Sequence, residues 1–457
     1  ARDTLGLAVC TAHAKGEKLL SMPGGRGLTA SPGWFEDLFG FRETNYEETR
    51  RLFEVGDGVL RCKHNGAQFY VGPFEVLSVE DLRSRLEQAV VGMDQHLGTI
   101  SFKNIVGDVR ALHADPKNAG SVFQVASQFN CLEMTEPGVR PEDGITRYHS
   151  DPTQGPACAL SCPAATVYRN YLVNERGQGG GHQIECLSGV GELLNNRRHQ
   201  HWKLCNGYCL PDKGLKKVND LLLDPDLSAA CRSRLQVGVH WDTDVKSKNH
   251  RVCQIFASAL PVSYAKSTRS EEWAPFAQVV LDGAYEATLA AAAVLAAKRQ
   301  TRLKVYLTAV GGGAFGNRTS WILAALDRAL RIHGAAPLDV LLVHYGTLPR
   351  GAFKELERRP RISISGEQPA HLDRDLTSKF KTLFRHLDSN GDGVLDHQDL
   401  EKTLPLLDPD LVEADDVEDI LAGAGSENGE LRFSEFVAWV HAAKCPITTR
   451  LLAEVSR

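Results

Sequence analysis

Between Leu303 and His333 the chain reads as an apolar run that stops in Val310-Gly311-Gly312-Gly313-Ala314-Phe315-Gly316-Asn317 and reopens as a helical pattern. No other stretch constrains the fold as much. A strand that ends in glycines and continues as a helix belongs to a sheet with helices laid on its faces. The same turn can bring consecutive backbone N–H groups close to an anion, with the helix N-terminus adding partial positive charge. A tight strand-to-helix turn that binds nothing is written in the same residues, so the glycines alone leave both readings open. Further apolar runs, Gly120 to Val125, Val252 to Val262 and Leu338 to His344, alternate with helical stretches at Tyr285 to Lys298 and Ser320 to His333. The alternation predicts an α/β fold.

At 457 residues the chain exceeds one comfortable core, because domains usually stop growing at about 250 to 300 residues. Arg359-Pro360 through Pro369 is polar and broken by prolines, which marks a linker before a helical pattern near Leu372. Residues 96–358 are then the α/β domain and residues 372–457 a small all-α domain. Residues 1–95, with Trp34 to Phe41 and a hairpin-like Asn65-Gly66, are expected to pack on the α/β domain as an extension. A net charge of -5 gives no general attraction to nucleic acid, and no apolar run approaches the roughly 20 residues of a membrane span. Eleven cysteines, an odd number, argue for reduced thiols, and Ala1 to Leu20 shows no secretory pattern. The expectation is a cytoplasmic or nuclear monomer with neither nucleic acid nor membrane as partner.

From Asp388 the residues are Asp-Ser-Asn-Gly-Asp-Gly-Val-Leu-Asp-His-Gln-Asp, the ligand spacing of an EF-hand calcium loop. Asp388, Asn390 and Asp392 supply hard side-chain oxygens and Val394 its carbonyl. Asp396 ligates directly or through water, and Asp399 closes the shell. A Glu at that last position would give both oxygens, so the shorter Asp399 predicts weaker calcium binding or better tolerance of magnesium. Phe380, Leu383, Phe384 and Leu387 recur at helical spacing, as an entering helix requires. The following loop, Ala424 to Glu435, lacks the first carboxylate and reads as a packing partner. Calcium is the expected cofactor, with no organic one.

The order helix, strand, Gly-Ala-Phe-Gly turn, helix resembles the second ligand loop of macrodomains, and upstream pieces extend the resemblance over roughly residues 101–356. Gly107-Asp108-Val109 resembles the family's opening Gly-Asp-Ile, and the run ending Ser127-Gln128-Phe129-Asn130 resembles its later strand. The resemblance implies a macrodomain-like three-layer mixed sheet with helices on both faces that binds ADP-ribose. It implies that Asp108, beside Val109, accepts the adenine amino group and that Asn130 meets the distal ribose. Gly311, Gly312, Gly313, Ala314, Phe315, Gly316 and Asn317 would hold the diphosphate. Turn and strand-end capping are the alternative roles of Asp108 and Asn130. Where common macrodomains have a Gly-Gly-Gly-Val stretch, this chain has Asp151-Pro152-Thr153-Gln154-Gly155-Pro156. The chain is similar in that respect to arginine-directed ADP-ribosylhydrolases of the family, whose usual catalytic loop does not carry over.

Hydrolysing a bond between ribose C1 and a guanidinium nitrogen requires a carboxylate that orients water and opposes developing positive charge. Asp242 and Asp244 stand two apart in a strand-like run, so both can point to one face and grip a guanidinium; a solvated turn is the alternative. Asp151 is the third candidate, with turn formation before Pro152 as its alternative. His182, Cys186, His199, His201, Cys205 and Cys209 are dense enough for zinc but poorly spaced, and buried thiols with surface histidines are expected. Two functions follow: an ADP-ribosylhydrolase acting on protein side chains, arginine above all, or a non-catalytic ADP-ribose reader coupled to a calcium sensor.

Overall fold

The computed structural model describes residues 33–91, 97–211, 214–265, 268–349, 351–358, 384, 387–390, 394–407, 430–432 and 436. The chain divides into a unit of residues 1–222 and 227–364 and a unit of residues 223–226 and 365–457.

The strands of the first unit are β1 (Phe53–Gly56), β2 (Val59–Cys62), β3 (Gln68–Tyr70), β4 (Phe74–Ser78), β5 (Ser101–Val106), β6 (Val122–Ala126), β7 (Trp202–Cys205), β8 (Tyr208–Pro211), β9 (Gln236–Asp244), β10 (Arg251–Ala257), β11 (Leu303–Leu307) and β12 (Leu338–His344). Seven of them form one mixed sheet in the order β4-β9-β10-β6-β11-β12-β5. The five from β10 to β5 are parallel, and β9 runs against both of its neighbours.

Strand β6 shows why the sheet is layered. Val122, Phe123, Gln124 and Val125 are all buried, the near-continuous burial of a strand covered on both faces. Phe123 stacks on His113 of the helix Val109–Ala114, with ring centroids 3.7 Å apart. The next residue, Gln124, donates from Nε2 to Thr288 Oγ1 of the helix Ala274–Arg299 at 2.9 Å. Successive strand residues point to opposite faces, so these two helices lie on opposite sides of the sheet, as the three-layer expectation required.

The helix Ala274–Arg299 has 26 residues, and its segment is long and apolar enough to cross a membrane, with mean hydropathy 1.5. This corrects the reading that no apolar run reaches that length. Its most apolar window is wholly buried, and alanines at 287, 290, 291, 292 and 293 let it lie close to the sheet and to the helix Thr319–Ile332. It is a core helix.

Residues before 96 do more than pack on this domain. β4 extends the seven-stranded sheet beyond β9, and the helix Val79–Ala89, closed by a capping box between Ser78 and Asp81, follows it directly. β1, β2 and β3 form a separate antiparallel sheet with Asn65-Gly66 in the turn between β2 and β3. Trp34, Phe35, Phe39 and Phe53 form a second apolar core with Tyr148 and Tyr171.

In the second unit β13 (Val394–Asp396) pairs antiparallel with β14 (Glu430–Arg432), setting Leu395 opposite Leu431. The helix His397–Leu407 follows β13, and the Phe384 and Phe436 rings stand 5.6 Å apart. Asp392, Gly393, Phe380, Leu383 and residues 424–429 lie outside the described residues.

Glu286 is a charge whose side chain is fully buried in the helix Ala274–Arg299. Burial pushes its carboxyl up, but Arg328 and Arg83 more than offset that and hold it below the usual range. Its Oε1 accepts from Arg83 Nε at 2.6 Å and its Oε2 from Arg328 Nη1 at 2.5 Å, tying three helices together. Glu286→Ala is expected to cost about 3 to 5 kcal/mol of unfolding free energy, because it strands two partly buried cations; urea unfolding measures it. A carboxyl whose folded value is depressed contributes stability that is present above its unfolded value and lost as pH falls. The gap between wild type and Glu286→Ala is therefore expected to shrink as the medium is acidified below the ordinary carboxylate range.

Candidate active site

A cleft of about 270 Å³ opens where β6, β10 and β11 end. These strands are parallel, so their carboxyl ends share one edge of the sheet, where α/β folds place their ligands. The volume lies near the lower end for small-molecule sites, roughly 300 to 1,000 Å³.

One wall is the start of the helix Gln154–Ser161. Gln154 Oε1 accepts from Ala126 N and its Nε2 donates to Gln124 O, both at 2.8 Å, so a side chain docks the helix onto the end of β6. At Gly155 any Cβ would sit inside the contact radius of the Ala126 carbonyl oxygen, so only glycine permits this approach. No described residue accepts a hydrogen bond from the N–H of Gln154 or Gly155, and both residues face the cleft.

The opposite wall is the glycine turn after β11. Gly311 has φ +75° and Asn317 N donates back to its carbonyl at 2.8 Å. The buried Asn317 side chain donates from Nδ2 to Leu260 O at 2.7 Å, which fastens the turn to the exit of β10. Val310 N donates to the Tyr285 hydroxyl and Gly312 N to Ala309 O, while Gly316 N donates to Gly313 O. That leaves the N–H groups of Gly311, Gly313, Ala314 and Phe315 without an acceptor among the described residues, and all four residues line the cleft. The three consecutive donors, Gly313, Ala314 and Phe315, form an anion-binding concavity. Gly312 backs onto Ile322 and Gly316 onto Ser263, so neither lines the cleft.

Phe315, Tyr208 and Tyr264 form an aromatic wall with centroids 5.6 to 5.7 Å apart. Tyr208 donates to Met134 O at 2.7 Å, and burial pushes its phenol well up. The charged residues of the lining are two carboxylates, Asp151 and Glu133. Asp151 Oδ1 accepts from Thr153 N at 2.8 Å and Thr153 Oγ1 at 2.6 Å, an arrangement that fixes the loop entering the helix. The Glu133 side chain is fully buried against Arg169, and burial, only partly offset by that guanidinium, pushes its carboxyl up to about 7.

The structure separates the residues that the sequence proposed. Asp151, Gly311, Gly313, Ala314 and Phe315 meet at the cleft; Asp242 and Asp244 do not. Because β9 is antiparallel, its last residue Asp244 pairs with Arg251, the first residue of β10, at the opposite edge of the sheet. Both carboxylates do share one face, but it is occupied: Arg251 Nε donates to Asp244 at 3.0 Å, Arg251 Nη1 reaches Asp242 at 3.5 Å, and Tyr70 N donates to Asp244 Oδ2 at 2.7 Å. Asn130 is also corrected. It is wholly buried, with Oδ1 accepting from Leu132 N and Nδ2 donating to Gln183 Oε1, because the chain turns inward after β6 with Cys131 at φ +59°. Asp108 caps the helix Val109–Ala114 through Arg110 N at 2.8 Å; it stands at the cleft's edge of the sheet, after β5, but not in the lining.

Glu133 and the two tyrosines went unread in the sequence. An acid between Leu132 and Met134, just past a strand, was the available signal for Glu133. Of the cysteine and histidine cluster, Cys186 and Cys209 are buried, and Cys186 Sγ lies 3.5 Å from Cys131 Sγ. Among the described residues no three His, Cys, Asp or Glu side chains gather as a metal site.

No family model matches the chain, and no curated protein matches it. Solved structures similar to it include poly(ADP-ribose) glycohydrolase from Deinococcus radiodurans in complex with ADP-ribose, at 12% identity over 63% of this chain and 93% of that one, TM-score 0.33. Poly(ADP-ribose) glycohydrolase from Thermomonospora curvata is similar at 14% identity over 65% and 89%, also with TM-score 0.33. At such scores the likeness adds nothing to the geometry above.

Asp244→Asn is expected to change stability by less than about 1 kcal/mol in thermal unfolding, since the Arg251 pair is partly exposed. It leaves any ligand affinity of the cleft unchanged.

Proposed function

We propose that the cleft binds ADP-ribose and that the chain hydrolyses ADP-ribose from protein side chains. The observation that carries this reading is the row Gly313, Ala314 and Phe315, whose N–H groups have no acceptor among the described residues, in the lining of a cleft that has no cation among its lining residues. A diphosphate there is held by backbone dipoles, with the open N–H groups of Gln154 and Gly155 on the facing wall. The resemblance of the glycine turn and of Gly107-Asp108-Val109 to macrodomains supplies the nucleotide. β5 is two strands from β11, about 10 Å at the usual strand spacing, a distance that suits a nucleoside extending along the sheet edge to Asp108.

The two carboxylates divide the chemistry. Glu133, whose carboxyl is pushed up to about 7 and so keeps a protonated fraction near neutral pH, donates a proton to the atom leaving ribose C1, while Asp151 orients the water that attacks that carbon. Water adds across one bond: C1 gains the hydroxyl and the leaving atom the proton. An arginine acceptor fits best, since carboxylates are the charged groups that would meet a guanidinium here. The reader alternative keeps binding without cleavage.

Gly313→Leu tests the cradle cleanly, because a Cβ at Gly313 meets no atom within 4 Å and so fills the cleft rather than the core. Calorimetry is expected to show ADP-ribose affinity at least tenfold weaker with an unchanged melting temperature. Equal affinity refutes the cradle. Glu133→Gln and Asp151→Asn are expected to lower release from arginine-linked substrate by about 10²- to 10⁴-fold while binding persists, with glutamate- and serine-linked substrates as comparison. No release by the wild-type protein from any of the three leaves the reader alternative.

For the second unit we propose a calcium site at the Asp388 loop. Ser389 N and Oγ donate to Asp399 Oδ1 at 3.0 and 2.7 Å, and Asp399 N donates to Asp396 Oδ1 at 2.8 Å, so the loop closes on its last carboxylate. Hard oxygens on Asp388, Asn390, Asp396 and Asp399 fit a divalent cation with oxygen preference. Asp388→Ala is expected to abolish calcium binding in a titration of the full chain, and two equivalent sites in the wild type would contradict the reading of the second loop.

A further inference from the structure

Resting on Glu133 as the proton donor, the geometry points to Arg169 as its positioning residue: we propose that Arg169 holds the Glu133 carboxyl in one orientation at the cleft wall and couples a permanent charge to its proton. Arg169 lies in the wide helical turn Tyr168–Leu172 and is fully buried. Its guanidinium is fixed on three sides. Nε donates to Cys131 O at 2.9 Å, Nη2 stands 3.3 Å from both Glu133 oxygens, and the plane lies 3.8 Å over the Phe256 ring of β10. Cys131 and Glu133 belong to the turn that follows β6, so one side chain grips both the backbone and the carboxyl of that turn.

The titratable groups in contact with Glu133 keep their protons, while Asp151 shares the cleft lining, Arg110 acts on Cys158 and Glu43 on Tyr148. The Glu133 N–H donates to the Tyr148 hydroxyl at 3.1 Å, and burial pushes that phenol well up. Cys158, on the helix Gln154–Ser161, keeps its thiol proton because burial raises it, with Glu133 adding to the effect. His240 on β9, facing Arg169, is kept neutral by burial and by the guanidinium. Arg169 is the cation in electrostatic contact with Glu133. A buried ion pair can also be a mere staple, and since a staple would shift the Glu133 proton as well, it is turnover in a variant that keeps the charge that separates the two roles. A second donor, Arg169 Nη1, is buried without a partner among the described residues, which is a poor arrangement for a staple alone.

The test uses the full chain, labelled with ¹³C at glutamate carboxyls, in wild type, Arg169→Gln, Arg169→Lys and Glu133→Gln. The Glu133 signal is assigned by its loss in the last variant and titrated with pH, alongside the pH profile of ADP-ribose release. Arg169→Gln removes the charge that favours the carboxylate, so the Glu133 midpoint is expected to rise by about one pH unit or more. The descending limb of the release profile, where the donor loses its proton, is expected to rise with it. Arg169→Lys keeps the charge but not the planar fork, so the midpoint stays while kcat falls at least tenfold with KM unchanged. An unmoved midpoint in folded Arg169→Gln, or full kcat in Arg169→Lys, overturns the proposal; if Arg169→Gln does not fold, the Lys variant decides. Wild-type release by Glu133→Gln instead removes the catalytic reading, and the carboxyl titration still judges Arg169.

Discussion

The burial of β6 on both faces sets the rest of the first unit. Phe123 commits one face to His113 and Gln124 commits the other to Thr288, so the strand has no freedom to slip: a shift of one residue would exchange a stacked ring for an amide. With β6 fixed, its end is fixed, and the end carries the cleft. Gln154 extends the strand's hydrogen bonding through its side chain, and Gly155 lets the helix start come down onto Ala126. The glycine turn after β11 stands opposite because β11 is the parallel neighbour of β6.

The cleft treats the two signs of charge by different means. An anion entering the cleft would meet backbone N–H groups that other elements have already fixed, through Asn317 on one wall and Gln154 on the other. A cation would meet the carboxylates of Asp151 and Glu133. Backbone donors of this kind need no reorganisation when a ligand arrives, whereas a lysine would lose side-chain freedom on binding. The carboxylates differ from each other by burial: Asp151 sits in an exposed loop with its Oδ1 engaged, and Glu133 lies behind the wall against Arg169.

Local signals in the sequence translated into structure and long-range ones did not. The run from Leu303 to Asn317 became β11 and the turn, and Leu338 to His344 became β12 residue for residue, since each is decided by neighbours in sequence. The spacing of Asp242 and Asp244 correctly placed both on one face. It could not tell which end of the sheet that face reaches, because this depends on β9 pairing antiparallel to β10. Glu133 takes its character from Arg169, 36 residues away, and β4 joins the sheet through β9, more than 150 residues on. Neither partner is visible from the local sequence. Asn130 failed for a related reason, since the inward turn at Cys131 is a tertiary arrangement and Asn130 fills it with hydrogen bonds of its own.

The central claim is that backbone donors of the glycine turn hold the diphosphate of ADP-ribose. Titrating ¹⁵N-labelled protein with ADP-ribose and following amide resonances reads this directly. The largest shifts are predicted at Gly313, Ala314 and Phe315, followed by Gln154 and Gly155, with Asp242 and Asp244 at the far edge of the sheet unmoved. Saturable shifts centred away from these amides, or none at all, would contradict the account.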